Sequence, residues 1–247
     1  MSDYQYLSEE GFRVDGRRAS EMRKLDCSLG VFTQADGSAH VKQGNTVVLA
    51  AVYGPHEVRG NRIKALHDRA VVNCQFSAAT FSTAERKRRP RGDTKSVAMT
   101  LHLQQTFEAA VLTSLYPRYQ IDVFVEVLQA DGSLLSVAIN AATMALVDAG
   151  IGMRDYVCAC SAGFFGDTAL LDLNNLEESH KGTGLTVAIL PKTERVVLVD
   201  MSSKIHADHV TKTIEAAVEG CKDIHAAFDA KIKDRVGKLP ALINTDN

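Results

Sequence analysis

The run IDVFVEVLQADGSLLSVAINAATMALV, residues 121–147, decides the architecture. Ile121, Val123, Val125 and Val127 recur at every second position, the pattern of a half-buried strand. Asp131-Gly132 then turns the chain into a helix from about Leu134 to Val147. Leu134, Leu135, Val137, Ile139, Met144, Leu146 and Val147 surround that helix instead of forming a stripe, which predicts burial on several sides.

Upstream, residues 22–32, Ser38–Val41 and Thr46–Val52 are apolar or alternating runs. Asp36-Gly37 and Gly44-Asn45 separate them as hairpin-type turns. A further strand is predicted at Ala70–Phe76. After a basic loop, Asp93 is placed to cap a helix running to about Leu115, with Val97, Leu101, Phe107, Val111 and Leu115 on one face, Gln104 interrupting it and Pro117 ending it. Downstream, strands are predicted at Val157–Phe164, Leu185–Leu190 and Arg195–Met201. One long helix follows, whose stripe of Val210, Ile214, Ala217, Cys221, Ile224 and Phe228 lies on a sheet. Gly237 and Pro240 are expected to end it, leaving a loose tail. The order predicts an α+β protein of two lobes, residues 1–152 and 153–236, with a tail over 237–247. Gln-Ala-Asp-Gly-Ser occurs at Gln34–Ser38 and again at Gln129–Ser133; one five-residue echo reads as shared turn chemistry, not a repeat architecture.

At 247 residues with 45% hydrophobic and 23% charged residues, the chain can build a large core. No apolar stretch approaches the ~20 residues of a membrane helix, so no membrane partner is expected. The N-terminus has no signal-peptide pattern, and the protein is expected to stay inside the cell. Five cysteines without a Cys-x-x-Cys pair fit reduced thiols; Cys158 and Cys160, on one face of a strand, read as core fillers. The net charge of -2 hides an asymmetry. Between Glu57 and Lys95, ten Lys/Arg face four acids, so that window carries +6 and the remainder -8.

The basic residues Arg86, Lys87, Arg88, Arg89 and Arg91 in a Pro/Gly loop suit a nucleic-acid backbone, where each neutralised phosphate releases counterions. Phe81 just upstream offers a ring for base stacking. A solvated loop and a nuclear-import signal share this composition. His206 and His209, with Asp208 between them, have a spacing that can hold a metal, but no third ligand is evident and they read as capping or surface residues. Asp172, Glu177 and Glu178 can hold Mg²⁺ or be solvated loop acids; by themselves they read as solvated. No nucleophile-elbow, zincin, P-loop or GxGxxG arrangement is present.

Phe12-Arg13-Val14-Asp15-Gly16-Arg17-Arg18, Ala35-Asp36-Gly37-Ser38, Gln43-Gly44-Asn45-Thr46, Tyr53-Gly54-Pro55, the segment from Phe81-Ser82-Thr83 through Asp93, and the segment from Asn140-Ala141-Ala142 through Gly150-Ile151 together resemble RNase PH-type proteins, over about residues 8–235. Within that family the chain is similar to ring subunits of the eukaryotic RNA exosome. The resemblance implies the RNase PH fold, a ribosomal protein S5 domain 2-like arrangement of two βαβ-type lobes. It implies RNase PH-type ring partners in a hexameric ring around single-stranded RNA, cap proteins with OB and KH folds, and a separate processive exoribonuclease. It implies work in the nucleus, nucleolus and cytoplasm on rRNA processing, mRNA decay and other RNA degradation. Arg59, Arg62, Lys64, Arg86–Arg89, Arg91 and Lys95 are then expected to face the RNA.

Active members of the family are phosphorolytic: phosphate attacks the last phosphodiester and releases a nucleoside diphosphate. They hold phosphate with an Arg at the start of the helix after the basic loop and with a Gly-Ser/Thr-Arg triplet. Two Asp six residues apart place a metal ion or a proton. The matching positions here are Lys95, Ser133-Leu134-Leu135, Glu178 and Gly184. Lys95 keeps a charge without the guanidinium fork, Leu135 has none, and Gly184 lacks a carboxylate. Each ~1.4 kcal/mol of lost transition-state stabilisation is about tenfold in rate. The expectation is therefore a degenerate, non-catalytic scaffold that channels RNA without a cofactor or metal, the alternative being an active phosphate-dependent 3′-to-5′ exoribonuclease.

Overall fold

The computed structural model describes residues 8, 10–57, 67–83, 85–86, 93–166, 168–179, 184–201 and 203–243. The first lobe is built on strands β1 (Leu25–Leu29), β2 (Gly37–Gln43), β3 (Thr46–Glu57), β4 (Val71–Ala78) and β5 (Tyr119–Gln129), with helices α1 (Thr94–Ala110) and α2 (Leu134–Asp148). Their sheet runs β1-β2-β3-β5-β4. β4 and β5 are parallel, joined through α1 as a βαβ unit; the other pairs are antiparallel. In register, Val41 faces Val48, Val48 faces Val127, and Val52 faces Val123, so alternate side chains form one continuous buried layer.

The second lobe comprises β6 (Cys158–Phe165), β7 (Thr168–Leu171), α3 (Asn175–Ser179), β8 (Leu185–Leu190), β9 (Arg195–Met201) and α4 (Ala207–Ile243). Its sheet runs β7-β6-β8-β9, antiparallel throughout. The predicted stripe of α4 packs on it through Ala217, Cys221, Ile224 and Phe228, all fully buried. α2 packs against strands of both sheets, which is why residues Leu135–Leu146 are buried on every side. β7 pairs only with Ala162–Phe165, leaving the earlier part of β6 without a neighbour on that side. Asn140 fills the gap: its Nδ2 donates to the Ala159 carbonyl (2.8 Å) and its Oδ1 accepts the Ala159 N–H (2.9 Å). Thr143 Oγ1 donates to Val157 O (2.9 Å), so polar groups inside α2 are satisfied by strand backbone.

Two expectations about helices change. α1 ends at Ala110, not near Leu115, because tertiary backbone bonds take over: Leu112 N–H donates to Gly152 O and Arg154 N–H to Ala110 O, both at 2.9 Å. A short 3-10 turn, Thr113–Leu115, follows. The buried face of α1 is Leu103, Thr106, Phe107 and Ala110, while Val97, Leu101 and, beyond the helix, Leu115 are exposed; Gln104 lies along the helix flank and donates to Glu108 (2.9 Å). α4 runs to Ile243, through Gly237 and Pro240 where the sequence predicts a stop. At 37 residues it spans roughly 55 Å. Its second half docks on the first lobe through Lys231–Asp26 (3.0 Å) and Arg235–Asp148 (3.9 Å). The five cysteines are free and buried.

Candidate active site

The second Gln-Ala-Asp-Gly-Ser copy builds one wall of a cleft. Gly132 has φ +79°, and a Cβ there would stand 2.4 Å from Leu173 O, so only glycine permits this turn to lie against the 172–174 loop. Ser133 follows in the left-handed region, φ 55°, a conformation costing a non-glycine residue about 1–2 kcal/mol. It is held there from three sides. Its Oγ donates to Leu173 O (2.8 Å), contacts the Ser161 hydroxyl, and its N–H donates to Glu178 Oε1 (2.6 Å). The first copy opens β2 instead: Asp36 accepts the Gly54 N–H at 2.8 Å and Ser38 N–H donates to Asp148 at 3.1 Å.

The cleft, about 250 Å³, brings together all five positions singled out for phosphorolysis: Lys95, Ser133, Leu135, Glu178 and Gly184. Lys95 comes from the first turn of α1; Ser133, Leu134 and Leu135 form the N-terminus of α2. First-turn N–H groups have no intrahelical acceptor and the helix dipole is positive there, so the α2 end is suited to an anion. Leu135 is buried and serves as cleft wall. Glu178 is exposed as a residue, but its Oε1 turns in to the Ser133 N–H. Desolvation of that end raises its pKa, and the opposing pull of the Ser133 N–H and of the Lys95 charge does not cancel it.

One residue escaped the sequence reading. Asp200 lines the same cleft, brought there by pairing of β9 with β8, where it faces Thr186. The carboxylate lacking at Gly184 thus has a counterpart two strand positions on and one strand across. Its signal was an acid interrupting the apolar run from Val196 to Met201.

The neighbouring acids are not solvated, contrary to expectation. Asp172 is fully buried and takes a two-pronged contact from Arg23, Nε to Oδ2 at 2.8 Å and an Nη to Oδ1 at 2.6 Å. Burial alone would raise its pKa; the Arg23 fork and charge outweigh that and hold it below the ordinary carboxylate value. Glu177 is paired with buried Arg13 through both oxygens. Arg13 also donates to Leu171 O (2.5 Å) and Asp172 O (3.1 Å). The arginine-rich N-terminal motif therefore clamps the loop that presents Glu178.

Among the described residues no three His, Cys, Asp or Glu are grouped to hold a metal ion. His209 stacks on Phe164 (4.1 Å between centroids), and His206 Nδ1 lies 3.3 Å from Asp208. Of the basic residues expected to face RNA, Lys95 lines the cleft and Arg86 is exposed. Arg59, Arg62, Lys64, Lys87, Arg88, Arg89 and Arg91 lie outside the described residues.

Comparison with known proteins gives this geometry a context. Residues 21–152 match the model of the 3′ exoribonuclease family, domain 1, and residues 155–220 that of domain 2. The chain is 54% identical to the human protein named exosome complex component RRP41, over 98% of this chain and 99% of that one. It is 39% identical to exosome complex component Rrp41 of the archaeon Methanopyrus kandleri, over 94% and 96%. The fold matches a chain of the Archaeoglobus fulgidus exosome, solved with RNA bound to the active site, at a TM-score of 0.76 and 23% identity, covering 89% of this chain and 93% of that one. These findings overturn the expectation of a non-catalytic chain. Both matching models describe exoribonucleases, and the similarity to the archaeal Rrp41 runs the length of both lobes.

Proposed function

Because the chain belongs to the RNase PH family of 3′ exoribonucleases, we propose that it is a ring subunit of an exosome and degrades RNA from the 3′ end by phosphorolysis. The observation behind this is the convergence of Lys95, the N-terminus of α2, Glu178 and Asp200 on one cleft. Inorganic phosphate binds at the first-turn N–H groups of α2 and beside Lys95, which together replace the guanidinium that Leu135 does not supply. A phosphate oxygen attacks the phosphorus of the terminal phosphodiester. The bond to the 3′-oxygen of the penultimate nucleotide breaks, and a nucleoside diphosphate leaves. Glu178 is the group placed to pass a proton to the departing 3′-oxygen, while Ser133 fixes its carboxyl through its N–H. Asp200, in the same cleft, orients the incoming strand end.

The exposed Arg86 and the basic positions around it guide single-stranded RNA to the cleft, as the +6 window suggests. RNase PH-type subunits flank this one in the ring, with cap proteins and a separate exoribonuclease as further partners, in the nucleus and cytoplasm. The assembled ring with Glu178→Gln tests the assignment. Phosphate-dependent shortening of a 3′ overhang should fall by 10²- to 10⁴-fold, the range for losing a general acid, while RNA affinity holds. Shortening at the unaltered rate would refute it.

A further inference from the structure

Beside the cleft lies a second, open groove of about 710 Å³, a size common for small-ligand sites. Neighbouring residues of the same segments line both. Asp131 lines the groove and Ser133 the cleft, at most about 8 Å apart along the chain, and α3 contributes Asn175 to one and Glu178 to the other. We propose that this groove is a nucleobase subsite for the RNA strand, holding a base 5′ to the nucleotide that reacts in the cleft; it extends the phosphorolytic reading to the upstream part of the substrate.

Three observations point to a base. Phe81 presents its ring to solvent at the groove, 68% exposed, on a turn fastened to β5: Ala130 N–H donates to Ser82 O (2.8 Å) and Ala79 N–H to Val127 O (3.0 Å). A fixed, exposed aromatic face is the element on which bases stack. Ser82, also lining the groove, is only 3% exposed, yet its Oγ has no hydrogen-bond partner among the described residues. A buried hydroxyl without a partner is unfavourable until a ligand takes it. Among the described residues the lining includes no Lys or Arg but has Asn45, Gln129 and Asn175, whose amides can pair with base edges, and Asp131, which would repel a phosphate. The groove therefore suits the uncharged part of a nucleotide.

Full-length protein in its reconstituted ring, bound to oligonucleotides carrying a single abasic site moved along the strand, tests the subsite. Phe81→Ala should weaken intact RNA by roughly 5- to 100-fold, while RNA abasic at one position binds variant and unaltered ring equally. The ring of Phe81 lies outside the core, so the variant should fold; Phe81→Tyr should restore binding. Equal affinity of variant and unaltered ring for intact RNA overturns the proposal, as does a loss that persists at every abasic position. Failure of Phe81→Ala to assemble, with RNA binding by the separate subunit unchanged, also overturns it by making this face a protein contact. Nucleoside diphosphate release is followed in the same samples: its absence beside a base-dependent Phe81 effect refutes only the catalytic reading.

Discussion

Arg23 is nearly buried, and so is the carboxylate it holds; each leaves the other an uncompensated charge if removed. Breaking such a pair typically costs about 3–5 kcal/mol. Arg23→Met or Asp172→Asn should lower stability by that order in urea unfolding, with Arg23→Lys intermediate because the fork is lost. The pair also sets an acid limit. The Asp172 pKa is depressed, so its stabilisation is present above the ordinary carboxylate value near 4 and is lost as pH falls through the folded value; Asp172→Asn should flatten that part of the stability profile. Glu178 has the opposite shift. Its protonated form persists above the ordinary glutamate value, so the pH dependence of phosphorolysis should show a limb displaced upward. Lys95→Met should move the limb further up, because the Lys95 charge opposes the shift. A limb unmoved by that substitution would separate Lys95 from the site.

At the scale of elements, α2 was legible because an apolar residue at nearly every position leaves only burial on several sides, and packing against both sheets supplies it. α1 was legible as a helix but not in its orientation. Val97 and Leu101 fit a face as well as Leu103 and Phe107 do, and only docking on β4 selects between them. Asp172 and Glu177 were misread for a related reason. Their partners Arg23 and Arg13 stand 149 and 164 residues away, a distance that local charge counting cannot bridge. Asp200 needed the β8–β9 register. Asn140 gives this scale its prediction. Asn140→Leu leaves the Ala159 N–H and C=O unpaired, at about 1–3 kcal/mol for each buried group. Hydrogen exchange at the Ala159 amide should accelerate ahead of exchange at residues paired within the β6–β8 ladder.

For the whole molecule, the two lobes are joined by α2 between the sheets, by α4 reaching back to β1, and by the N-terminal arginines gripping the 171–178 loop. The cleft is lined from both lobes, by Lys95 and the start of α2 on one and by Glu178 and Asp200 on the other, so its geometry depends on the lobes staying together. The net charge of -2 gave no hint of this, although it divides into +6 over residues 57–95 and -8 over the remainder. The positions matched to the family motifs line one cleft, but counting departures from those motifs led to the expectation of a non-catalytic chain, since helix N-termini and a carboxylate from a neighbouring strand leave no trace in a motif. The most direct test is the identity of the product. The assembled ring, given RNA with a free 3′ end, should release nucleoside diphosphates only when inorganic phosphate is present, with label from the phosphate appearing in them; no release with phosphate, or release of nucleoside monophosphates without it, would contradict the account.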